Sequence, residues 1–247
     1  MKHKIGTPFI ELPTVDSTNN YATTLAHEGM ARHGTAVFAH RQTRGRGQRT
    51  KEWVTGGGNI ALSLVLEPVQ LTTSRMFSLS MAVALGACRF FTRYAGEDTR
   101  IKWPNDIYWR DRKAGGILIE NILQGSSWRF AVAGIGLNIN QDDFGELNNR
   151  AVSLKQITGR NFSSVILAHE LCSDLQQAWD LLEKDQPELT AAYHSLLYKL
   201  NEPIRLKKEN RVFEALLTGV TLTGQLVVRH SIEEQFDVGE VEWIFEE

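Results

Sequence analysis

The residues best suited to chemistry lie in a glycine-rich segment between residues 41 and 58. Five cations there accompany one carboxylate, so the segment carries a local charge of +4 in a chain whose formal net charge is −2. The cations are Arg41, Arg44, Arg46, Arg49 and Lys51, and the carboxylate is Glu52. Glycine lets a ligand approach the backbone closely, and arginine offers planar donors that suit carboxylate and phosphate groups. The segment therefore predicts an anion-binding loop, and a solvated charged hairpin is the alternative interpretation.

Three more segments place polar or cationic residues beside turn-forming ones. Residues 102–106 read Lys-Trp-Pro-Asn-Asp, in which proline fixes the backbone and the last two residues add polar groups to a turn. Lys113 precedes the small residues 114–116, which would let a ligand reach the backbone, although an exposed hairpin lysine fits the same pattern. Residues 134–140 end a strand with glycines and asparagine, which indicates either a bulge or a pocket wall. Each segment alone also permits a purely structural interpretation.

Other familiar site patterns do not occur in the sequence. The seven histidines include no His-x-x-x-His pair, and Cys88 and Cys172 lack metal-ligand or disulfide spacing. The loop matches neither Gly-x-x-x-x-Gly-Lys nor Gly-x-Gly-x-x-Gly, and no Gly-x-Ser-x-Gly is found. We therefore expect no metal held by the protein, and the cysteine usage favours a reducing compartment.

The elements that must position these segments follow from hydrophobic patterning. Apolar and partly alternating runs predict strands at residues 9–12, 35–39 and 60–66, so the charged loop joins two strands. Capping residues at 16–19 predict a helix start, and the long apolar run at 76–91 predicts a buried helix.

The second half of the chain contains strands and helices, and it changes to strands alone after residue 203. Strands are predicted at residues 100–103, 117–120 and 129–133, and their short connections favour antiparallel pairing. Helices are predicted at residues 165–182 and 189–200. Four short strands then follow, at residues 204–206, 213–217, 226–228 and 241–245. A β module of about 45 residues is too small to be very stable alone, so we expect it to pack on the main domain.

Composition describes an ordinary globular chain of 247 residues, 42% of them hydrophobic and 23% charged. That length suits one large domain, or one domain with a small appendage. The near-neutral charge argues against nucleic acid as the main partner, and no apolar run approaches the roughly 18 residues of a membrane span. The N-terminal residues contain no long apolar stretch, so a signal peptide is not expected. These features predict a cytoplasmic protein.

Five segments, taken together and in order, resemble biotin–protein ligases of the form without an N-terminal DNA-binding domain. The segments are residues 16–19, 42–49, 102–106, 113–118 and 134–138. The resemblance extends over essentially the whole chain, including the C-terminal β module. Its specific parts are the Gly-Arg-Gly loop and the Lys-Trp-Pro-Asn-Asp turn.

The resemblance implies an α+β fold with a mixed, largely antiparallel sheet flanked by helices. Such a sheet is similar to the catalytic core of class II aminoacyl-tRNA synthetases, and a small C-terminal SH3-like β-barrel follows it. The implied domains are a biotin- and ATP-binding catalytic domain over residues 1–200 and the barrel over residues 201–247.

The activity implied by the resemblance is a two-step ligation. Such enzymes use ATP with Mg²⁺ to make biotinyl-5′-adenylate, and then transfer biotin to one lysine of a biotin carboxyl carrier protein. The implied partner is the carrier subunit of acetyl-CoA carboxylase or of a related carboxylase, with no nucleic acid and no membrane. No repressor activity is expected, because Phe9 already begins the catalytic fold. Monomers and homodimers both occur in the family, and the sequence leaves both open.

The resemblance also assigns roles to individual residues. Lys113, Arg46 and Asp106 are the implied catalytic residues: Lys113 would bridge the biotin carboxylate and the α-phosphate, and Asp106 would orient the incoming lysine amine. The implied biotin-binding residues are Ser17, Thr18, Asn19, Gln42, Gly45, Arg46, Gly47, Lys113, Gly115 and Gly116. The implied ATP-binding residues are Arg46, Gln48, Arg49, Trp53, Lys102, Asn105 and Asn138. Where the family often has arginine, Gln48 keeps hydrogen bonding and loses the charge, so the arginine's task is not assigned to it.

Three competing functions can be separated by simple observations. A lipoate–protein ligase-like enzyme would run similar acyl-adenylate chemistry, and the acid that supports pyrophosphate exchange distinguishes it. A non-catalytic ligand-binding module would use the same pocket without ATP-dependent labelling of a carrier domain. A single-strand nucleic-acid binder is disfavoured by the net charge of −2 and by the dispersed aromatic residues.

Overall fold

The computed structural model describes residues 3–48, 52–53, 57–68, 71–125 and 127–245. Seven strands of this part of the chain form one sheet, in the order β1-β2-β3-β7-β6-β5-β4. Their bounds are β1 Phe9–Leu12, β2 Thr35–Ala39, β3 Ile60–Leu66, β4 Thr99–Lys102, β5 Asp106–Trp109, β6 Arg112–Gln124 and β7 Ser127–Leu137. The β1–β2 pair is parallel and the other described pairs are antiparallel, which confirms the mixed, largely antiparallel sheet.

Helices cover the two faces of this sheet unequally. Their bounds are α1 Thr18–His27, α2 Met76–Ala95, α3 Leu154–Thr158, α4 Ser164–Lys184 and α5 Gln186–Ser195. Side chains of β3 alternate between faces: Leu62 and Leu64 join the main core with α2 and α4, whereas Val65 packs against α1. The apolar cluster between α1 and the sheet therefore covers only part of the sheet face on which α1 lies.

The long helix α2 forms where the sequence predicts it and continues to Ala95. Its apolar residues point in nearly all directions because the helix lies between the sheet and α4. At Gly86 a Cβ would lie 2.9 Å from a methyl of Leu175 on α4, so glycine lets the two helices approach closely.

The prediction of a helix over residues 189–200 is wrong at its C-terminal end. Helix α5 stops at Ser195, and the following residues run beside β4 instead. Ile101 donates its backbone N–H to Leu196 O at 2.8 Å, and Tyr198 donates to Ile101 O at 2.8 Å. These strand contacts replace the helical hydrogen bonds of that segment.

A second antiparallel sheet contains five strands of the described chain, in the order β11-β10-β9-β8-β12. Their bounds are β8 Pro203–Lys208, β9 Arg211–Val220, β10 Leu226–Arg229, β11 Glu233–Phe236 and β12 Glu242–Ile244. Strand β11 was not predicted, because Glu-Glu-Gln-Phe has only one apolar residue. Residues such as Leu206 and Val228 belong to the same buried cluster as the core of the first sheet, so this module packs against the main body.

No helix within the described ranges combines the length and the apolar character that a membrane crossing needs.

Candidate active site

A row of small residues crosses four strands on the face that α1 leaves partly open. Gly136 on β7 pairs with Ala61 on β3 and with Gly116 on β6, and Gly116 pairs with Asp106 on β5. Directly paired residues of adjacent strands project to the same face. Three of these four positions carry a methyl group or less, so they leave a shallow surface next to the Asp106 side chain. We call Ala61, Gly136 and Gly116 the glycine floor.

Polar side chains at the start of α1 border this floor. Thr18 donates its backbone N–H to Gln42 Oε1 at 2.8 Å, and its hydroxyl donates to the same oxygen at 3.0 Å. The buried hydroxyl of Ser63 lies 2.7 Å from Thr18 Oγ1 and 2.6 Å from Asn19 Oδ1. Ser17, the N-cap residue of α1, is also buried. The fold therefore brings together the predicted residues 17–19 and Gln42, which are distant in sequence. We call these residues, together with Ser63, the polar cluster at α1.

Ser63 was missed by sequence reasoning, although a signal existed. It is the single hydroxyl residue in the otherwise apolar strand Ile60–Leu66. It faces Gly134 across the β3–β7 ladder, where a Cβ would overlap the Asn19 amide. The missing side chain at Gly134 thus leaves room for the Ser63–Asn19 contact.

Arg46 is held by a carboxylate that the sequence did not single out. Its two terminal nitrogens lie 2.8 Å from Glu120 Oε1 and 3.0 Å from Glu120 Oε2, and Nη1 also donates to Asn20 Oδ1 at 3.0 Å. Asn19 Nδ2 donates to Glu120 Oε2 at 3.0 Å. Glu120 therefore joins the loop arginine to the polar cluster at α1. Its signal in the sequence is one acidic residue at the end of an apolar run.

The Glu120–Arg46 pair predicts competition between Glu120 and an anionic ligand. Glu120→Gln removes the negative charge and keeps a side-chain oxygen for Asn19. An exposed ion pair contributes about 0.2–1 kcal/mol, so the KM for an anionic substrate bound at Arg46 should fall by up to about fivefold. Steady-state kinetics of the two proteins measure this. Glu202→Gln, which removes a carboxylate 3.0 Å from Lys199, is the matched control. An unchanged or raised KM in Glu120→Gln would contradict the competition.

Lys113 and Asp106 meet beside the glycine floor. Lys113 Nζ lies 2.7 Å from Asp106 Oδ1, and a Cβ built at Gly116 would lie 3.4 Å from Lys113 Nζ and 3.5 Å from Asp106 Oδ1. The ring of Trp53 is 5.8 Å from Lys113 Nζ. A bulge in the β5–β6 ladder after Ile107 shifts the register by one residue near this pair. The structure thus unites the segments 102–106 and 113–116 that the sequence singled out separately.

The loop glycines and the indole of Trp53 are packed closely. A Cβ at Gly45 would overlap the carbonyl oxygen of Trp53, whose backbone N–H donates to Gly45 O at 2.9 Å. At Gly136 a Cβ would overlap the Trp53 ring, so Trp53 lies over the glycine floor. Its indole N–H is buried and has no hydrogen-bond partner among the described residues. Gly47 and Gln48 follow on the same loop, and Arg49 lies outside the described residues.

Three predicted ATP-binding residues make contacts within the protein. Asn138 is buried and its amide donates to Val152 O at 3.2 Å, beside the backbone of Lys113. Asn105 donates its side-chain amide to Ile117 O. The ammonium of Lys102 lies 5.0–5.4 Å from the ring centroids of Tyr108, Trp243 and Phe245. These contacts fix the walls of the site, and the role of each residue toward ATP stays a prediction.

Other titratable groups have environments that keep them out of the chemistry. Burial, with the negative charge of Asp106 nearby, raises the pKa of Tyr108 far above neutral pH. Burial raises the pKa of the Cys88 and Cys172 thiols to about 12, so both stay protonated. Within the described ranges no three His, Cys, Asp or Glu side chains cluster in a way that could hold a metal ion.

Comparisons with known proteins agree with one another. The sequence pattern of the Biotin/lipoate A/B protein ligase family matches residues 11–139. The chain is 31% identical to the biotin–[acetyl-CoA-carboxylase] ligase of Paracoccus denitrificans over 88% of this chain and 92% of that protein. It is 30% identical to the bifunctional ligase/repressor BirA of Escherichia coli over 88% of this chain and 68% of that protein. The biotin protein ligase from Aquifex aeolicus, solved in complex with biotin and ATP, gives a TM-score of 0.80 at 26% identity, covering 96% of this chain and 99% of that one.

Proposed function

Because this chain belongs to the biotin/lipoate A/B protein ligase family, we propose that it is a biotin–protein ligase, which activates biotin with ATP and transfers it to a lysine of a carrier protein. The observation that carries the proposal is the Lys113 ammonium, held 2.7 Å from Asp106 beside the glycine floor. The polar cluster at α1 and the Arg46 loop border the same floor.

The first step joins two anions. The biotin carboxylate attacks the α-phosphorus of ATP, an O–P bond forms, and the bond to pyrophosphate breaks. Like charges repel at this encounter, so cations placed at the reacting atoms lower the barrier. Lys113 bridges the carboxylate and α-phosphate oxygens, and Arg46 and Arg49 contact the carboxylate, the phosphate or the departing pyrophosphate.

The polar cluster at α1 suits the ureido ring of biotin, whose oxygen accepts hydrogen bonds and whose N–H groups donate them. Ser17, Thr18 and Gln42 supply hydroxyl and amide groups for these bonds. Ser63 and Asn19 hold that set in place through their mutual contact of 2.6 Å. Gly47 and Gly116 let the ligand approach the backbone. At Gly45 and Gly115 a Cβ would overlap Trp53 and Leu137, so we assign these two glycines to the close packing that shapes the site.

The ATP subsite lies around Trp53 and the arginine loop. The buried indole N–H of Trp53, which has no partner among the described residues, supports a hydrogen bond to a ligand there. Gln48, Lys102, Asn105 and Asn138 complete the residues that we assign near the nucleotide.

Magnesium would be brought to the site with the nucleotide. Mg²⁺ is commonly held by substrate phosphates together with one or two carboxylates. In the described ranges Asp106 and Glu120 each face a cation, and no three metal-ligating side chains cluster. We infer that Mg²⁺ supplies charge neutralisation at the phosphates, while Lys113 and Arg46 are the chain's own contribution.

In the second step the lysine amine of the carrier attacks the acyl carbon of the adenylate, a C–N bond forms, and AMP leaves. We assign Asp106 to orient that amine. Its carboxylate is mostly buried and already holds an ammonium group, that of Lys113, at 2.7 Å. The name of the Paracoccus denitrificans relative supports the carrier subunit of acetyl-CoA carboxylase as the acceptor.

Asp106→Asn is expected to slow transfer from preformed biotinyl-5′-adenylate to the carrier by about tenfold. A hydrogen bond to a charged group contributes about 1.5–3 kcal/mol, and the neutral amide forfeits most of it. Single-turnover transfer, followed by mass, measures the rate. Asp98→Asn removes another carboxylate from an ion pair, 2.9 Å from Arg110, and should transfer normally. Transfer at the wild-type rate by Asp106→Asn would remove this role.

The function itself is tested by incubating the protein with biotin, Mg-ATP and a biotin carboxyl carrier domain. The expected product is a carrier with the mass of one added biotinyl group, and no addition without ATP. Lipoic acid in place of biotin tests the related acyl-adenylate ligase. Addition of lipoyl instead of biotinyl would overturn the choice of substrate, and no addition with either acid would overturn the ligase activity.

We also infer the finer architecture that this function implies. The seven-stranded sheet corresponds to a class II aminoacyl-tRNA-synthetase-like core over residues 1–200, and the C-terminal sheet to an SH3-like barrel over residues 201–247. The antiparallel order β11-β10-β9-β8-β12 supports the second correspondence.

A further inference from the structure

We propose that the C-terminal β module positions the catalytic Asp106–Lys113 pair, and that Trp103 is the positioning residue through which it acts. The proposal rests on the function proposed above and extends it to a residue outside the reacting groups. It gives the module a part in biotin activation beyond packing.

A buried hydrogen bond joins the module to the turn at residues 103–105, which we call the catalytic turn. Trp103, 3% exposed, stands at the start of the turn that leads to Asp106. Its indole N–H donates to Gly224 O at 2.9 Å, and this contact links residues 121 positions apart. A buried indole N–H needs such a partner, because leaving it unpaired costs free energy.

The acceptor carbonyl is itself held rigidly. Gly224 lies in the tight turn between β9 and β10, where its N–H donates to Thr221 O at 3.0 Å. Its φ of +98° is in the region that favours glycine, and a Cβ there would overlap the ring of Phe77 on α2. The turn thus presents one carbonyl at a fixed place between α2 and the catalytic turn.

A second contact with the module is made by Lys102, the residue directly before Trp103. The ammonium of Lys102 lies 5.0 Å from the ring centroid of Trp243 and 5.4 Å from that of Phe245, at the end of the module. Cation–π contacts of this kind are favourable within about 6 Å. Residues 102 and 103 are therefore both in contact with the module.

From Trp103 the connection to the reacting groups is short. Asp106 follows three residues later and opens β5, where it pairs with Gly116. Between them Asn105 accepts the backbone N–H of Ile117 at 2.9 Å, which fixes the turn against β6. The Asp106 carboxylate then holds Lys113 Nζ at 2.7 Å. A shift of Trp103 would move Asp106, and with it the ammonium group.

Lys113 is the residue most sensitive to such a shift. Its side chain is 35% exposed, and its ammonium lies 2.7 Å from Asp106 Oδ1 and 5.8 Å from the Trp53 ring centroid, so the carboxylate is the nearer of these two contacts. Displacement of a catalytic group by about 1 Å can cost up to about 100-fold in rate. The module therefore affects the rate of chemistry rather than ligand affinity alone.

The test compares Trp103→Phe with Trp128→Phe. Both substitutions keep a buried aromatic ring and remove one indole hydrogen bond, since Trp128 is 7% exposed and donates to Phe130 O at 3.1 Å. Trp103→Phe should lower the kcat of biotin-dependent pyrophosphate exchange by about tenfold with KM for biotin within about twofold. Trp128→Phe should lose similar thermal stability and keep its kcat.

A double-mutant cycle separates positioning from general damage. If Trp103 acts through Lys113, Trp103→Phe should have little further effect in a Lys113→Ala background. An equal loss of kcat in Trp103→Phe and Trp128→Phe, or a tenfold loss that persists without Lys113, would overturn the proposal.

A measurement independent of activity distinguishes this proposal from the proposed function. The rate at which Lys113 Nζ is acetylated by acetic anhydride, read by peptide mass, reports the environment of the ammonium. Trp103→Phe should change that rate at least about twofold, and Trp128→Phe should not. An unchanged rate overturns the positioning role, whereas absence of biotin-dependent exchange in the wild type overturns the proposed function.

Discussion

Lys113→Ala is expected to reduce biotin-dependent pyrophosphate exchange by about 100-fold or more, the scale for removing one strong stabiliser of transition-state charge. The Lys113 ammonium lies beside the glycine floor and next to a carboxylate. We propose that the two substrate anions meet there, and that they would do so without a neutralising cation if Lys113 were absent. Alanine removes that cation and leaves the Asp106 carboxylate unpaired, so an extra negative charge faces the substrates. Exchange of labelled pyrophosphate into ATP measures the first step alone.

The control for this variant is Lys208→Ala. Lys208 also forms a half-exposed ion pair, 3.4 Å from Glu240, and it lies on β8 in the C-terminal sheet. It should keep wild-type exchange. An unchanged exchange rate in Lys113→Ala would remove Lys113 from the mechanism.

Gly116→Val is expected to lower kcat/KM for biotin by about 100-fold while the protein stays folded. A Cβ at Gly116 makes ordinary contacts, at 3.4 Å from Lys113 and 3.5 Å from Asp106, so the strand accepts it. The two γ-methyl groups of valine then fill the space in front of the ion pair, which we assign to the reacting carboxylate. Valine suits a strand, so the melting temperature should change little.

A size series makes the steric cause visible. Gly116→Ala adds only the Cβ and should show a smaller loss, near tenfold. Gly219→Val adds the same side chain on β9, where a Cβ would approach only His194, at 3.7 Å, and activity should be kept. Equal activity of Gly116→Val and the wild type would place the substrates elsewhere.

Several elements could be predicted because their signals are local. The strands Phe9–Leu12, Thr35–Ala39 and Ile60–Leu66 have the predicted bounds, since each is a short apolar run closed by polar or turn-forming residues. Strands β6 and β7 are longer than predicted, because glycines and polar residues interrupt the hydrophobic pattern towards their ends. The end of α5 could not be found from periodicity, since contacts with β4 at Ile101 decide it.

Residue types and their local spacing are enough to show which chemistry is available to this protein. Three features can be recognised from the sequence, because residue type and local spacing define what a segment can bind. They are the cationic glycine loop, the Lys-Trp-Pro-Asn-Asp turn and Lys113. Their resemblance to biotin–protein ligases agrees with the family to which the chain belongs.

The tertiary structure alone decided how these segments meet. Strand register puts Gly116 opposite both Gly136 and Asp106. Packing of the loop and of α1 on the sheet places Arg46 against Glu120 and Asn19 against Ser63. The tertiary structure also brings the Trp103 indole N–H within hydrogen-bond distance of a carbonyl of the C-terminal module. No local pattern contains these pairings, because each depends on backbone hydrogen bonds and packing between residues far apart in the chain. The +4 charge of the loop is thus a property of the sequence, whereas the carboxylate that balances Arg46 is a property of the fold.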